Sequence, residues 1–278
     1  MSNDPVEIPV DEEKTAPILY TEKNKVAYIS INTKMNALNI ELAKLFVSFL
    51  KQAEENPKIH VIVIKSEGDR IFSAGFDLRM FSQGISMDFL NELLTFGGAI
   101  SKTIFFCKKP VISQIQASAI GLGSIMALSS DFRFVANRED LFFQLPEVDI
   151  NMFPATGPTA MAIRVLGAVH AQEMLLTGRK VYLKEFNQWG GVTEIVEPEE
   201  LGKTVKKFAK NLAQKPPNLL HSIKSAINMM SYDQALKWFE LEDKMAQYNV
   251  KVLGNLEHPP IDTFLADLWK EYTAGKSQ

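Results

Sequence analysis

Two short segments, Ala74-Gly75-Phe76-Asp77 and Gly121-Leu122-Gly123, share a pattern that could do chemistry. Each follows a stretch rich in β-formers, and the second opens an apolar helical run. Backbone N–H groups at the start of a helix lack internal partners and carry partial positive charge. Two such amides pointing into one pocket would stabilise an oxygen that becomes negative during reaction. Alternatively, these glycines only make tight turns. A third candidate is a carboxylate, Glu147 in Leu145-Pro146-Glu147-Val148-Asp149. An apolar pocket would raise its pKa to a value useful for a base, whereas in a solvated loop it would be an ordinary acid. Asp149 lies two residues on and shares a face with Glu147 if the segment is extended; otherwise it faces a neighbour or solvent.

The elements that must position these groups follow from periodicity. Val26 to Ile31 alternates and reads as a strand. Leu42, Leu45, Phe46, Phe49 and Leu50 recur at helical spacing after Asn39, and Pro57 closes that helix. Ile59 to Ile64 is an apolar run broken only by His60, as in a strand covered on both faces. A second helix spans Met87 to Phe106, a strand runs from Val111 to Gln116, and an apolar helix from Ser124 to Ser129. Phe132–Val135 and Leu141–Phe143 are two more short strands. After Pro158 helical patterns dominate: 159–166, 171–176, 183–189, 201–212, 219–230, 232–250 and 261–272, interrupted by the apolar piece Val192 to Val196. This order predicts an α/β core carrying a helical appendage: a flexible acidic tail over 1–17, a core over 18–200 and a helical C-terminal region over 201–278.

Composition narrows the function classes. The 278 residues carry 30 Lys and Arg against 33 Asp and Glu, a net charge of −3, which gives no electrostatic reason to expect nucleic acid. Hydrophobic residues make up 46%, close to an ordinary globular domain, so disorder and fibrous classes are excluded. The single cysteine, Cys107, cannot form an internal bridge, and a reducing compartment is expected. Residues 1–14 are polar and acidic, with no apolar core of a signal peptide, and no apolar run reaches the length of a membrane span. The end, Gly275 to Gln278, matches no targeting signal. The expected location is cytoplasmic, with no membrane partner. His60, His170, His221 and His258 are scattered, and no cluster suggests a metal site.

Ser73-Ala74-Gly75-Phe76-Asp77-Leu78 resembles the SAGxDL segment of the crotonase superfamily, the enoyl-CoA hydratases and isomerases. Three further stretches fall in that family's order. They are Asn36-Ala37-Leu38-Asn39; Pro110-Val111-Ile112 through Gly121-Leu122-Gly123 to Asp131; and Leu175-Leu176-Thr177-Gly178-Arg179 with Gly190-Gly191-Val192 and Val196. The resemblance runs from about Val26 to Val196. It implies a crotonase-like spiral of ββα units with a helical C-terminal region that acts in trimerisation or as a lid, assembled as a homotrimer or dimer of trimers. It implies an acyl-CoA thioester ligand and no metal or redox cofactor. The thioester oxygen would accept hydrogen bonds from the N–H groups of Phe76 and Leu122. Extended backbone around Ala74 to Leu78 would hold the CoA, so that Ala74, Gly75, Asp77, Leu78, Gly121, Gly123 and Ile125 surround the ligand.

The resemblance also bears on the reaction. Hydration in this family uses two glutamates that position one water. The first falls two residues after the second glycine segment, where this chain has Ile125; the second aligns with Glu147. One carboxylate beside an apolar residue suits a 1,3-proton shift, and the expected activity is Δ3,Δ2-enoyl-CoA isomerase. The alternatives are an enoyl-CoA hydratase or other crotonase-type lyase or hydrolase, and a non-catalytic acyl-CoA binding protein. A carboxylate used by another isomerase subgroup aligns with Ala155, so that subgroup and the dienoyl-CoA isomerases do not fit. Gln116-Ala117 replaces a usual Asn-Gly, and Phe76, Met152 and Phe153 bring bulk that narrows the acyl pocket or packs the core. Met87, Leu90, Leu93, Leu94 and Ile100 either line an acyl tunnel or form a packed face. Lys224 either sits near the CoA phosphates or is a solvated helix lysine. The run from Trp238 to Tyr248 is expected to face a neighbouring subunit.

Overall fold

The computed structural model describes residues 16–82, 86–229 and 232–274. The acidic segment before Ala16 and Gly275 to Gln278 lie outside the described residues. From the first parallel strand onward the chain repeats one motion. A strand enters a large sheet, a short extended piece adds to a second stack, and a helix returns. β2 (Val26–Ile31) leads to Leu38 and then α1 (Ile40–Glu55); β3 (Val61–Ser66) leads to Ser73–Phe76 and then α2 (Met87–Phe106). β4 (Val111–Ile115) leads to β5 (Ala119–Ile120) and α3 (Leu122–Ser129); β6 (Phe132–Ala136) leads to β7 (Phe142–Gln144) and α4 (Pro158–Thr177). The short pieces stack in parallel: Leu38 on Phe76, Ser73 on Ala119, and β5 on β7. This is the α/β core that the periodicity predicts, wound into the spiral of ββα units that the resemblance implies.

The large sheet has six strands, closed at one edge by β1 (Ile18–Lys23) antiparallel to β2, and at the other by β9 (Glu194–Val196) beside β6. Between them β2, β3, β4 and β6 run parallel. Parallel strands covered on both faces read as continuous apolar runs, and Val61 to Ile64 is fully buried for that reason. α6 (Leu201–Leu212) covers one face through Val205 and Ala209 against Val61, Val63 and Phe134. The main core lies on the other face and includes Phe46, Phe72, Phe105 and Phe143. β8 (Val181–Tyr182) pairs antiparallel with β7 and leads into α5 (Leu183–Gln188). The chain ends in α7 (Pro217–Met229), α8 (Tyr232–Leu253) and α9 (Ile261–Ala274).

Local chemistry explains the boundaries. Asn39 caps α1, its side chain accepting from the Leu42 amide at 2.9 Å, and Ser86 caps α2 through the Phe89 amide at 3.1 Å. α4 breaks at Gly167, where φ is +79°, which divides it at the gap between the two helical patterns seen in the sequence. β1, β5 and β8 escape the sequence reading because they are short or exposed edge pieces, with little alternation to detect.

α3 is held from its C-terminal end by Arg133, which is buried on β6. The guanidinium donates to the carbonyls of Ala127 at 3.1 Å, Ser130 at 2.5 Å and Gly191 at 2.8 Å. Those carbonyls belong to the end of α3 and to the loop before β9, so a cation there satisfies orphan acceptors and complements the helix dipole. Arg133→Met removes the donors while keeping much of the apolar stem. It is expected to destabilise the protein by about 3 kcal/mol, measured by urea denaturation, because several buried acceptors lose their partners together.

Candidate active site

Leu38 pairs with Phe76 through the neighbours of Phe76: the Leu38 amide donates to Gly75 O at 2.9 Å, and Asp77 N donates to Leu38 O at 2.9 Å. In a parallel pair this leaves the N–H of Phe76 pointing away from Leu38, toward the other side of the strand. On that side lies the start of α3. Leu122 is its first residue, so its N–H has no acceptor within the helix. The approach is close because the contact residues are glycines. A Cβ on Gly75 would lie 2.8 Å from both Ile120 O and Leu122 N, and one on Gly123 would lie 2.4 Å from Ser73 O. Gly75 also has φ +82° and Gly121 φ +52°, backbone that side chains rarely adopt. The two segments singled out by their glycines thus meet, with two amides facing one region.

Ser73, Asn36 and Gln116 hold this arrangement, and the sequence reading gave none of them a role at the site. Ser73 is fully buried; its hydroxyl donates to Asn36 O at 2.7 Å and accepts from Gly75 N at 3.1 Å. The Asn36 amide donates to Glu67 O at 3.0 Å and Ile71 O at 2.9 Å. Gln116 donates to Ser66 Oγ at 2.8 Å and Gly68 O at 3.0 Å, so the residue that departs from the family pattern still ties down the loop before Ser73. The available signal was position: all three lie in or beside the motifs.

Glu147 opens a 3₁₀ turn over Glu147–Ile150 that begins after Pro146. Its Oε1 would lie 3.5 Å from a Cβ on Gly121, which puts the carboxylate beside the turn that starts α3. Its Oε2 is buried with no hydrogen-bond partner. Burial pushes the carboxyl up to about 7, only partly opposed by a backbone hydrogen bond. Among the described buried side chains such orphans are few, and this one is a carboxylate, the group most costly to leave unpaired. The amide of Met152 donates back to Glu147 O at 2.9 Å and closes the turn.

Other expected residues fall into two groups. Ala74, Gly75, Gly121 and Gly123 lie at the meeting of the two segments. Ile125 is 1% exposed and joins the main core, so it offers no polar atom to a ligand or water. The extended backbone ends at Asp77, one residue earlier than expected. Asp77 caps a 3₁₀ turn over Leu78–Phe81, accepting from Arg79 N at 3.0 Å and pairing with the Arg79 guanidinium, and Leu78 stands exposed. Asp149 does not share a face with Glu147, because the segment is a 3₁₀ turn rather than extended; its carboxylate lies against Gly178. Lys224 is neither solvated nor open to a phosphate. It is buried, its ammonium bonded to Asp131 at 2.7 Å and Lys109 O at 3.0 Å and lying 3.4 Å from Ile104 O, so its three N–H groups are occupied. Phe76 directs its ring onto Gly97 of α2, and Thr156 lies against the same glycine, which accounts for the bulk as packing. Phe239 and Tyr248, expected at a subunit contact, pack within the chain: Phe239 against Gly157, and Tyr248 stacked on Phe264 at 4.3 Å. His170 stacks on Trp189 at 4.4 Å and His60 bonds Ala213 O at 2.8 Å, both as packed histidines. Among the described residues no group of histidine, cysteine and carboxylates could hold a metal, and no helix is long and apolar enough to cross a membrane.

A spiral of ββα units with two free amides beside a buried carboxylate is the architecture of a crotonase-type acyl-CoA enzyme. Residues 21–254 match the enoyl-CoA hydratase/isomerase family model, and the chain belongs to that family. It is 31% identical over 207 residues to a crotonyl-CoA hydratase of Syntrophomonas wolfei, covering 74% of this chain and 78% of that protein. A carnitinyl-CoA dehydratase of Salmonella arizonae is 29% identical over 195 residues, covering 69% and 72%. Among solved structures, an enoyl-CoA hydratase from Bacillus halodurans superposes with a TM-score of 0.78 at 22% identity, over 85% of this chain and 96% of that one. An enoyl-CoA hydratase/isomerase from Xanthobacter autotrophicus Py2 also gives 0.78 at 22% identity, over 84% and 87%.

The geometry makes a controlled pair of substitutions possible. Gly75 and Gly68 both have positive φ, +82° and +79°, but a Cβ on Gly68 meets nothing within 4 Å. Gly68→Ala is expected to show only the backbone strain, about 1 kcal/mol in thermal denaturation. Gly75→Ala adds the clash with Leu122 N and is expected to weaken acyl-CoA binding more than tenfold, read by calorimetry, while Gly68→Ala leaves it within twofold.

Proposed function

We propose that the protein is a Δ3,Δ2-enoyl-CoA isomerase. The observation that carries this reading is the carboxylate of Glu147, one oxygen of which is buried with no partner, beside the α3 N-terminus, with Ile125 sealed in the core where a hydratase has its other glutamate. The thioester oxygen accepts hydrogen bonds from the Phe76 and Leu122 amides. Glu147 takes a proton from C2, and the negative charge that develops on the oxygen is held by those two donors. The protonated Glu147 then returns the proton to C4, which moves the double bond from C3–C4 to C2–C3. Nothing else is consumed, so the reaction balances without metal or redox cofactor. A carboxyl near 7 suits both halves, being basic enough to accept and acidic enough to release.

A second reading, hydration or dehydration through Glu147 alone, is favoured by the names of the relatives, a hydratase and a dehydratase. Binding of acyl-CoA without turnover is the third. We further propose a homotrimer or dimer of trimers; Leu219, Ile223 and Ile227 form an exposed apolar row along one face of α7 that such an assembly would cover. A reducing cytoplasmic setting fits the buried thiol of Cys107, pushed by burial up to about 11 and so unreactive.

The test is an assay with 3-enoyl-CoA and 2-enoyl-CoA esters, separating products by mass and retention. The expected result is a shifted double bond without added water, and a loss of at least about 100-fold in Glu147→Gln, the range for a missing acid–base group. Because the base must be deprotonated in the free enzyme, kcat/KM is expected to fall about tenfold per pH unit below a midpoint near 7 and to level off above it. Hydrated product as the main species would establish the second reading, and tight ester binding with no turnover would establish the third.

A further inference from the structure

We propose that the cavity bordered by α7, the end of α6 and the start of β6 is a second binding site, which takes a small organic carboxylate with a short hydrocarbon tail and holds it by Arg164. The cavity measures about 270 Å³, near the lower end of small-molecule sites. Among the described residues its lining includes none from 73–77, from 121–123 or from the Glu147 turn, so it is separate from the candidate active site. The inference therefore does not rest on the isomerase reading.

The charges around the cavity do not balance. Among the described residues three cations, Arg133, Arg164 and Lys224, are set against one carboxylate, Asp131. Arg133 spends its donors on three carbonyls, and Lys224 spends its own on Asp131, Lys109 O and Ile104 O. The Asp131 oxygen that takes Lys224 also accepts from Val111 N at 2.7 Å. Arg164 is the cation left over. It is half-buried in the cavity wall, with its guanidinium over the Phe105 ring at 5.0 Å. Among the described residues it donates one hydrogen bond, to Asn228 Oδ1 at 3.1 Å, although a guanidinium carries five N–H groups. Arg79, Arg138 and Arg179 each have a carboxylate within hydrogen-bond distance, and Arg164 has none. A guanidinium stays charged when buried, so a carboxylate supplied from outside, matched to its planar fork, offsets the lost hydration.

The rest of the wall selects the ligand class. Phe132, Leu212, Leu220, Ile223 and Ile227 are apolar, and an inorganic anion would leave them against water. A hydrocarbon tail covers them, and the volume limits that tail to a few carbons. Ile223 and Ile227 also belong to the exposed row on α7, so a second copy could instead bring a carboxylate side chain to Arg164. The concave space favours the free acid, because an apolar row covered by a flat surface needs no cavity of this size beside it.

The experiment titrates acetate, butanoate, hexanoate and the neutral hexanamide into wild type, Arg164→Met and Arg164→Lys by calorimetry, with melting temperatures for each variant. Methyl NMR of Ile223 and Ile227 reports the place of binding. Hexanoate should bind wild type and shift both methyls, and affinity should rise about fourfold per methylene from acetate to hexanoate. Hexanamide should bind at least tenfold more weakly, the range for a lost hydrogen bond to a charged group. Arg164→Met should lose hexanoate by at least the same factor, and Arg164→Lys should recover part of it, as a point charge without the fork. Saturating butyryl-CoA should leave the hexanoate Kd within twofold. No binding of hexanoate, equal binding of hexanamide, unchanged affinity in Arg164→Met, or displacement by butyryl-CoA would overturn the proposal. So would absence of binding to wild type together with a lower mass of Arg164→Met by light scattering, since Arg164 would then hold a second copy. If Arg164→Met does not fold, hexanamide and the two methyls on wild type still decide.

Discussion

Everything at the site depends on how closely two backbone segments can approach. The strand piece 73–76 and the first turn of α3 touch through Gly75 and Gly123, with distances that leave no room for a methyl group on either. Such contact is possible only where side chains are absent and the main chain meets main chain directly. It has an electrostatic result. A helix start with an unused N–H is thereby brought beside a strand whose Phe76 N–H is turned away from Leu38. Neither amide can turn away, because the groups on either side of Phe76 are fixed by Leu38 and the end of α3 is fixed by Arg133. A site built from backbone in this way is preorganised, since no side-chain rotamer must be frozen to make it.

The carboxylate obeys a different economy. Glu147 sits where burial favours its neutral form and no hydrogen bond rescues the free oxygen. A protein has no stability reason to keep such a group, because an apolar residue of similar size would avoid the desolvation cost. Glu242 makes a useful contrast. It is also buried and its pKa is also pushed up to about 7, yet both of its oxygens receive backbone N–H donors. One carboxylate ties structure together; the other keeps an oxygen unused. That difference, more than the shift itself, separates a structural acid from a candidate base.

The strand–helix alternation was legible in the sequence because each turn carries a β-branched run, a bend and a helical stripe, whereas the spiral winding followed from resemblance. α2 and α6 emerge with the boundaries their periodicity predicts. The glycine segments were legible as turns, and their partnership followed from resemblance rather than spacing. What stayed hidden depends on tertiary geometry. The side on which Asp149 lies stayed open because nothing in Pro146-Glu147-Val148-Asp149 announces the 3₁₀ turn that forms when Met152 closes back on Glu147. Lys224 was read as a solvated or phosphate-facing lysine because its partner, Asp131, is distant in sequence. Phe239 looked like interface surface because its seat, Gly157, lies on another helix start.

The C-terminal helices belong to the same mechanical unit as the site. Ser101 of α2 donates to Thr156 O, while Glu242 of α8 receives Gly157 N and Thr159 N. The aromatic ring of Phe239 occupies the space a side chain on residue 157 would need. The loop after Glu147 is therefore gripped from both sides, and its Thr156 lies against the same glycine as the ring of Phe76. α8 is thus tied to the segment that follows Glu147, and Thr156 of that segment and Phe76 both lie against Gly97. Regions read from sequence as a core and an appendage are coupled by hydrogen bonds and close packing at a handful of residues. The geometry of the two amides relative to the carboxylate consequently depends on helices that supply none of them.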